Sequence, residues 1–343
     1  MIAVDLGTRI TKAVFLDQRG GVPTLRRFAI LDAPIFEKQI SPELLTEHLR
    51  TVFQALSPET KNVTLAIGLD DAVVKQVDLP YLPKDEMRLV LKNNTKGYLQ
   101  QDLPGHVFDC HFFPPKQTSS GKTDPAKGAG MAKGKVLVVG AKQRLVDDFQ
   151  GAVRQAGLVP DHIVPGLIGP VNAFEKAMPD VFSGETIALV DIGFKHSSVC
   201  ILDRGELALT RVVNIGADKL TAGLAEAMNV TYAEAEGIKI GMAPEVKSAL
   251  EMQVMPLGRE LRASLDFFEH QQDRPVTNIY LSGGSARSEL ILEMLHSELI
   301  VECRTWNPAR SLQLALPEQQ AAEIQQIGSQ LAVAIGAGLT SFN

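Results

Sequence analysis

Two stretches of the chain share one pattern of apolar and polar positions, and each predicts a β-hairpin. Residues 2–16 (IAVDLGTRITKAVFL) and 187–202 (IALVDIGFKHSSVCIL) begin as an apolar strand, pass through Asp, an aliphatic residue and Gly into a polar turn, and return as a second apolar strand. Apolar runs that flank a Gly-bearing turn are typical of hairpins. Because each copy lies near the start of about half of the chain, we expect a duplicated fold.

The remainder of the first half is predicted to complete an α/β layer around its hairpin. A third strand is expected at residues 24–31, and Ser41 with Pro42 begins a helix whose apolar residues recur every three or four positions. Residues 62–68 form an apolar strand, and residues 73–79 alternate as its expected neighbour. The predicted order is therefore three strands, a helix and a further strand.

The next region has a different order of predicted elements and a more charged composition. A charged helix is predicted at residues 84–98, strands at 107–113 and 135–140, and an amphipathic helix at 145–156. The two strands are separated by residues 116–134, which are rich in Gly, Ser, Lys and Pro and offer little to bury. We interpret this segment as a disordered loop and the region around it as a unit inserted into the first half.

The second half repeats the pattern of the first. Thr231 and Glu234 have the spacing of a capping box and predict the start of a helix. Residues 246–268 carry apolar side chains at spacings of three and four, which a coiled coil would also show, but Pro256 and irregular charged flanks favour one buried face in a globular domain. The other elements are predicted at residues 160–177 (strand, then helix), 206–215 (strand), 218–228 (helix), 278–281 (strand), 288–296 (helix) and 324–338 (helix).

Composition narrows the class of protein. The chain has 343 residues, 45% of them apolar, which is enough for two or more cores. A net charge of −6 argues against a nucleic-acid surface. Cys110, Cys200 and Cys303 are isolated from one another, which predicts reduced thiols and no structural metal. No uncharged apolar run reaches the ~18 residues of a membrane span, so we expect a cytoplasmic protein that reaches membranes only through partners.

The two hairpins also carry the candidate chemistry. Asp5 and Asp191 lie at matching places, each two residues before a glycine. Glycine lets backbone N–H groups approach an anion closely, because no Cβ intervenes. One such turn is weak evidence, and an Asp alone could simply cap its turn. Two matched turns predict a binding cleft in which the two hairpins face each other and bind a polyphosphate and its metal ion from both sides.

Several motifs together resemble a known superfamily. The two Asp-x-Gly hairpins and a late Ser-Gly-Gly segment at residues 279–285 (IYLSGGS) resemble the actin-like ATPases, which include actin, the heat-shock chaperone ATPases, sugar kinases and FtsA. Residues 211–221 (RVVNIGADKLT), 233–239 (AEAEGIK) and 78–80 (DLP) narrow the resemblance to the PilM family of type IV pilus assembly. The resemblance covers almost the whole chain.

The resemblance implies an α/β fold of the actin-like ATPase type. Two ribonuclease H-like domains would enclose a nucleotide cleft, with an inserted subdomain of the kind that FtsA and PilM share. The expected boundaries are residues 1–81, 157–183 and 318–343 for the first domain, 82–156 for the inserted subdomain and 184–317 for the second domain.

The resemblance also implies a role for each candidate residue in binding ATP and Mg²⁺. Asp5 and Asp191 would hold Mg²⁺ through water, since Mg²⁺ keeps most of its waters. Lys12 has the spacing of the lysine that contacts phosphate in actin, although a solvated lysine at a strand end is the alternative. The phosphate-binding set is completed by residues of the two hairpins: Gly7, Thr8, Gly193, Ser197 and Ser198.

The adenosine would be bound on the other side of the cleft. Gly283, Gly284 and Ser285 would let the backbone approach it, or would form only a strand-to-helix turn. Glu236 and Lys239 match the Glu and Lys that bracket the nucleoside in this superfamily. Their spacing of three residues is equally that of an ion pair on a helix surface.

Two departures from the superfamily pattern bear on hydrolysis. The segment that crosses between the halves, residues 164–172, contains no acid and no Gln to orient an attacking water, and Asn172 is a weak substitute. The second turn carries Phe194, Lys195 and His196, where Phe194 could crowd a phosphate and Lys195 could add charge. His196 has no paired carboxylate nearby in the sequence. We therefore expect ATP binding with weak or no hydrolysis, and assign no catalytic residue.

Three functions compete on this evidence. The resemblance to the PilM family implies a cytoplasmic scaffold of a type IV pilus or related secretion platform. It would grip the N-terminal cytoplasmic peptide of a PilN-like membrane protein and could contact motor or platform proteins or form a ring. A metabolic kinase would need a catalytic acid. A filament-forming ATPase like FtsA would need an amphipathic membrane helix, whereas this sequence stops at residues 340–343 after its last core helix. We favour the scaffold.

Overall fold

The structure, a computed structural model, describes residues 1–36, 39–113, 133–241 and 246–342. These residues divide into two compact units. The larger unit comprises Met1–Leu69 and Phe149–Asn343, and the smaller unit comprises Asp70–Asp148. Each unit has a sheet and core of its own.

The first half of the larger unit is built on a six-stranded sheet. Its strands are β1 (Ile2–Leu6), β2 (Ile10–Arg19), β3 (Val22–Asp32), β4 (Asn62–Ile67), β8 (Val159–Pro165) and β14 (Gln313–Leu314). They are arranged in the order β14-β3-β2-β1-β4-β8. The hairpin of β1 and β2 continues antiparallel into β3, whereas β4 and β8 run parallel to β1. The predicted hairpin, third strand and later parallel strand are thus confirmed.

In the described part of the chain, six α-helices belong to this half or lead into it. They are α1 (Pro42–Leu56), α4 (Gln143–Gln155), α5 (Gly169–Ala177), α6 (Pro179–Gly184), α11 (Glu318–Ile327) and α12 (Ala332–Leu339). Helix α1 begins as its sequence predicts, since the Ser41 side chain accepts a hydrogen bond from the Leu44 amide and Pro42 occupies the first turn. The predicted helix at residues 324–338 is wrong as a single element, because a 3-10 turn at Gly328–Leu331 separates α11 from α12.

The second half repeats the sheet of the first. Its strands are β9 (Thr186–Ile192), β10 (Ser197–Asp203), β11 (Glu206–Val213), β12 (Asn278–Gly283) and β13 (Glu302–Thr305), in the order β11-β10-β9-β12-β13. The order and directions of β11-β10-β9-β12 match those of β3-β2-β1-β4. The duplication expected from the two hairpins is therefore present in the sheets.

The described residues of the second half include four α-helices. They are α7 (Ala217–Met228), α8 (Tyr232–Gly241), α9 (Lys247–Gln272) and α10 (Glu289–Leu299). The capping box is confirmed, because the Thr231 amide donates to the Glu234 carboxylate and the Glu234 amide donates to the Thr231 hydroxyl. Helix α9 buries one face in the core through Leu250, Val254, Leu257, Leu261, Leu265 and Phe268, and Pro256 lies inside it without ending it. The globular interpretation of this segment is confirmed.

The smaller unit is a three-stranded antiparallel sheet with two helices. Strands β5 (Ala72–Pro80), β6 (His106–Phe112) and β7 (Lys133–Lys142) lie in the order β5-β7-β6, and α2 (Lys84–Asn93) and α3 (Thr95–Leu99) contribute to its core. The prediction that residues 73–79 pair with β4 is wrong, because β5 pairs with β7 along its whole length. Alternation in a sequence indicates a strand but not its partner.

Two other predictions for this unit are modified by the structure. The charged helix expected at residues 84–98 is two helices, because Asn94 leaves the helical conformation and its side chain accepts from the Gly97 amide to cap α3. Most of the loop predicted at 116–134 lies outside the described residues, but Lys133 and Gly134 belong to β7.

The described residues also bear on the cysteines and on membrane spans. Cys110, Cys200 and Cys303 are all free thiols, as predicted. Among the helices described, none is both long and apolar enough to cross a membrane.

Candidate functional site

The two Asp-x-Gly turns have the same local geometry, and each requires its glycine. A Cβ on Gly193 would lie 2.6 Å from the carbonyl oxygen of His196, and a Cβ on Gly7 would overlap the carbonyl oxygen of Ile10. The backbone of each turn therefore folds tightly over the position where a side chain would begin. This local strictness explains why the pattern occurs twice in the sequence.

Both turns open onto one cleft in the larger unit. The cleft has a volume of about 300 Å³ and is lined by the hairpins of the two halves together with the turn that follows β12. The predicted site residues that line it are Asp5, Gly7, Thr8, Lys12, Asp191, Gly193, Ser198, Glu236, Gly283, Gly284 and Ser285. The fold thus brings together residues from both halves that are far apart in the sequence.

A lysine and two aspartates form the charged centre of the cleft. Lys12 is the register partner of Asp5, and its ammonium lies 2.9 Å from that carboxylate. Burial alone would lower the pKa of Lys12, but the nearby Asp5 and Asp191 carboxylates outweigh it and raise that pKa. Lys12 is therefore a fixed cation that compensates two carboxylates.

Asp191 has its own neutral partner. The Ser282 hydroxyl donates a hydrogen bond to it at 2.7 Å, from a strand position that is its register partner. Burial raises the pKa of Asp191, and Lys12 and Ser282 oppose that rise without cancelling it. In the first half the position that corresponds to Ser282 is Ala66, the register partner of Asp5. The two aspartates are therefore satisfied differently.

The structure does not place Ser197 in the cleft. Its side chain is fully buried and its hydroxyl donates to the Ile215 carbonyl at 2.7 Å. Neighbouring residues of a strand point to opposite faces, and it is Ser198, the register partner of Asp191, that lines the cleft. Of the two serines proposed from the sequence, Ser198 lines the cleft and Ser197 does not.

Lys239 also lies away from the cleft surface. Its side chain is only 2% exposed, and its ammonium donates to Glu236 at 2.9 Å and to the Thr221 hydroxyl at 2.7 Å. Thr221 donates in turn to Glu236. Glu236 thus lines the cleft, whereas Lys239 is buried beneath it and forms an ion pair with the Glu236 carboxylate.

The turn after β12 brings backbone close to the cleft. Gly283 has a φ of +92°, and a Cβ there would overlap the Ile192 carbonyl oxygen. The hydroxyl of Ser285 is buried beside the cleft and has no hydrogen-bond partner among the described residues. A buried polar atom without a partner is costly, so this orphan fits a site that is completed by a ligand.

The cleft includes residues that the sequence did not single out as binding residues. Arg9, Arg287 and Gln330 line it, as does Lys195 of the second turn. The guanidinium carbon of Arg9 lies 5.0 Å from the ring centre of Phe194 and 5.2 Å from that of Tyr232. Arg9 follows Thr8 in the first turn, so its position in the motif could have identified it as a lining residue. Gln330 belongs to no motif that would have identified it.

Each carboxylate that lines the cleft has a hydrogen-bond partner in the protein. Among the described residues, these carboxylates belong to Asp5, Asp191 and Glu236, and each accepts a side-chain hydrogen bond through one of its two oxygens. The segment that crosses between the halves contributes Gly166 to the lining, and the Asn172 amide points to the Gly336 carbonyl at 3.4 Å. This segment therefore brings no acid to the cleft.

Mg²⁺ would have few protein ligands here. No group of three or more His, Cys, Asp or Glu residues within the described ranges is arranged to hold a metal ion. Mg²⁺ often binds proteins through one or two carboxylates, with waters and phosphates in its other positions. Asp5 and Asp191 fit that mode, provided that a nucleotide supplies the phosphates.

Comparison of the fold with solved structures defines the class of protein. The chain is similar to the ethanolamine utilization protein EutJ from Carboxydothermus hydrogenoformans, with a TM-score of 0.57, 15% identity and coverage of 98% of this chain and 88% of that one. It is also similar to MreB5 of Spiroplasma citri bound to AMPPNP, with a TM-score of 0.52, 11% identity and coverage of 98% and 94%. The chain has the actin-like ATPase fold.

The family is narrower than this class. The family model for the type IV pilus assembly protein PilM matches residues 3–342. A solved PilM–PilN type IV pilus biogenesis complex has a chain with a TM-score of 0.82, 21% identity and coverage of 100% of this chain and 98% of that one. The comparison with curated proteins finds no match. This chain belongs to the PilM family of type IV pilus assembly proteins.

Proposed function

We propose that this protein binds Mg-ATP between its two halves and works as a nucleotide-loaded scaffold at the cytoplasmic face of a type IV pilus assembly platform. The observation that carries the nucleotide part is the meeting of two Asp-x-Gly turns at Lys12 in one cleft. Each turn needs glycine for close backbone packing, and N–H groups in such turns form anion-binding concavities. A phosphate chain is the ligand that matches these features.

The roles of the cleft residues follow from their positions. Gly7, Thr8 and Gly193 would offer backbone N–H groups to the phosphates, and Ser198 would offer its hydroxyl. Asp5 and Asp191 would hold Mg²⁺ through water, and the ion would neutralise part of the phosphate charge. The turn of Gly283, Gly284 and Ser285, with Glu236 opposite, would receive the adenosine.

Slow turnover is expected from the segment that crosses between the halves. Residues 164–172 contribute Gly166 to the cleft lining and contain no acid or Gln that could orient an attacking water. We therefore expect ATP to act as a structural ligand that keeps the two halves together. A ligand that binds only the folded state stabilises it in proportion to the logarithm of its concentration over its Kd.

The partner is proposed from the family. The solved relative is a complex of PilM with PilN, and a PilN-like membrane protein is the corresponding partner for this chain. We expect the N-terminal cytoplasmic peptide of that protein to bind, and so to bring the scaffold to the membrane.

Calorimetric titration with Mg-ATP tests the nucleotide part. Wild-type protein should bind with micromolar affinity and release negligible phosphate. The double variant Asp5→Asn, Asp191→Asn should lose binding, because both variants keep the side-chain shape and remove the charge. Asp180→Asn, an exposed position in α6, is the matched control and should bind as the wild type does. A folded wild type that does not bind Mg-ATP would refute this part of the proposal.

Fluorescence polarisation tests the partner part independently. A labelled N-terminal cytoplasmic peptide of a PilN-like protein from the same organism should bind saturably, and a scrambled peptide should not. Equal binding of both peptides, or of neither, would remove the scaffold role and leave the nucleotide site unaffected.

A further inference from the structure

Arg9 has an unusual position for a surface arginine. It lies in the first turn, lines the cleft and is exposed, yet its guanidinium lies over the rings of Phe194 and Tyr232, both in the second half of the unit. Guanidinium groups stack favourably on aromatic faces. The side chain is therefore held in one place across the cleft.

The edges of this guanidinium are not used by the protein. Within the described parts of the chain, the Arg9 guanidinium makes the two ring contacts and no hydrogen bond or ion pair, and its charge acts on Glu236 and Tyr232. An arginine carries five N–H donors in a rigid fork that matches the oxygens of a phosphate. Ring contacts occupy the faces of the group and leave its edge donors available, so Arg9 is prepared to bind an anion.

The charges of the cleft show why such a cation is needed. Lys12, the cation predicted for the phosphates, already donates to Asp5 and compensates Asp191. A phosphate chain that enters the cleft would have to compete with two carboxylates for that ammonium. The Arg9 guanidinium makes no such hydrogen bond to a carboxylate among the described residues, although its charge helps to lower the pKa of Glu236.

We propose that Arg9 binds the outer end of the nucleotide phosphate chain and makes the cleft prefer nucleoside triphosphates to diphosphates. This proposal rests on the proposed nucleotide function and adds the Arg9 side chain of the first turn to the proposed phosphate-binding residues. Arg9 lies over Phe194, at the point where the tips of the two hairpins meet. Gly7 and Thr8 precede it in the same turn, so a chain bound to their N–H groups extends towards it.

The structure also gives Phe194 a purpose. A ring in a phosphate-binding turn could crowd the ligand, but here the ring supports Arg9. Tyr232 is fixed in turn, because its hydroxyl donates to Asp218 at 2.9 Å. Phe194 and Tyr232 are thus positioning residues that act through Arg9.

Titration of the full chain with Mg-ATP and Mg-ADP tests the proposal. Arg9→Ala should weaken Mg-ATP binding by about tenfold, the loss typical of a hydrogen bond to a charged group, while Mg-ADP binding changes less than about threefold. Arg9→Lys should be intermediate, because it keeps the charge and loses the fork. Arg27→Ala, an exposed arginine of β3, is the matched control and should bind both nucleotides as the wild type does.

Phe194→Leu separates support from crowding. If the ring supports Arg9, this variant should lose part of the preference for Mg-ATP. A variant that binds Mg-ATP more tightly would show that the ring crowds the ligand and would contradict its role here.

The outcomes distinguish the two proposals. If the wild type binds both nucleotides and Arg9→Ala weakens both equally or neither, the role of Arg9 is refuted and the nucleotide site stands. If the folded wild type binds neither nucleotide, the nucleotide function and the role of Arg9 are both refuted.

Discussion

The Lys12 ammonium lies 2.9 Å from the Asp5 carboxylate, directly across the first hairpin. Both side chains are largely shielded, with 19% and 12% of their surfaces exposed. The same ammonium also compensates the Asp191 carboxylate of the second hairpin. Burial lowers the pKa of Lys12, but the two carboxylates outweigh burial and raise it. One lysine thus links the charges of both halves, and the cleft holds its own cation where a metal ion and phosphates are proposed to bind.

Replacement of this lysine should be costly for folding. Lys12→Met leaves Asp5 shielded without a cation, and loss of one partner of a buried pair is expected to lower the free energy of unfolding by about 3 kcal/mol. The double variant Lys12→Met, Asp5→Asn removes both charges and should recover part of that loss. Urea unfolding of the four proteins in this cycle measures the coupling. A loss in the double variant equal to the sum of the losses in Lys12→Met and Asp5→Asn would show that the pair does not stabilise the fold.

The Glu236–Lys239–Thr221 cluster should make the second half sensitive to acid. Burial favours protonated Glu236, but hydrogen bonds from Lys239 and Thr221 outweigh it and lower the pKa of Glu236 below its ordinary value near 4.5. The unfolded chain therefore takes up this proton at higher pH than the folded chain does. The stability that this carboxylate contributes is present above about pH 4.5 and is lost as the pH falls through the folded value.

Lys239→Met tests this cluster. It should lower the free energy of unfolding at pH 7 by about 2 kcal/mol, because Glu236 loses its cation, and it should reduce the further loss below pH 4.5. Chemical denaturation at pH 7 and at pH 4 gives both quantities. Lys219→Met, in the neighbouring helix α7 and exposed, is the matched control and should follow the wild type. An unchanged acid response in Lys239→Met would contradict the assigned cause.

Local signals in the sequence predicted local features well. The Ser41 cap, the Thr231 capping box and the two glycine turns depend on residues a few positions apart, and all are present. Pairing of β5 with β7 depends on residues distant in the sequence, so alternation alone assigned β5 to the wrong sheet.

The cleft shows the same limit. Most of its lining follows from motifs, but which of two adjacent serines lines the cleft depends on strand register, and only the structure shows that register. Arg9 meets Phe194 and Tyr232 only when the two halves are assembled. A single sequence contains no periodicity that reports such a contact.

His48 should make the stability of the first half depend on pH above the acidic range in which Glu236 acts. It is buried on α1 with its Nε2 atom 2.7 Å from the Thr11 hydroxyl, and burial lowers its pKa from the ordinary value of 6.5. The unfolded chain then binds this proton at higher pH than the folded chain, so stability falls as the pH falls through 6.5 towards the folded value. Equilibrium unfolding at pH 7 and pH 5 should show a smaller loss for His48→Gln than for the wild type.

His111→Gln is the control for this comparison, since His111 is exposed on β6. It should leave the pH dependence unchanged. If His48→Gln and the wild type lose the same stability between the two pH values, burial of His48 does not control this range.

One glycine makes the close approach of α5 and α12 possible. A Cβ on Gly336 would overlap the carbonyl oxygen of Gly169, which is backbone and cannot move aside as a flexible side chain could. Val333, one turn earlier in α12, lines the cleft beside Gly166. Gly336→Ala should therefore lower the free energy of unfolding by on the order of 3 kcal/mol through overpacking, and weaken Mg-ATP binding because the helices must separate.

Gly151→Ala, in α4 with no atom within 4 Å of its Cβ position, is the matched control. It should raise stability by about 0.5–1 kcal/mol, because alanine loses less backbone entropy in a helix. Thermal and urea unfolding of both variants measure the difference, and a Gly336→Ala protein as stable as Gly151→Ala would show that the two helices do not need this close approach.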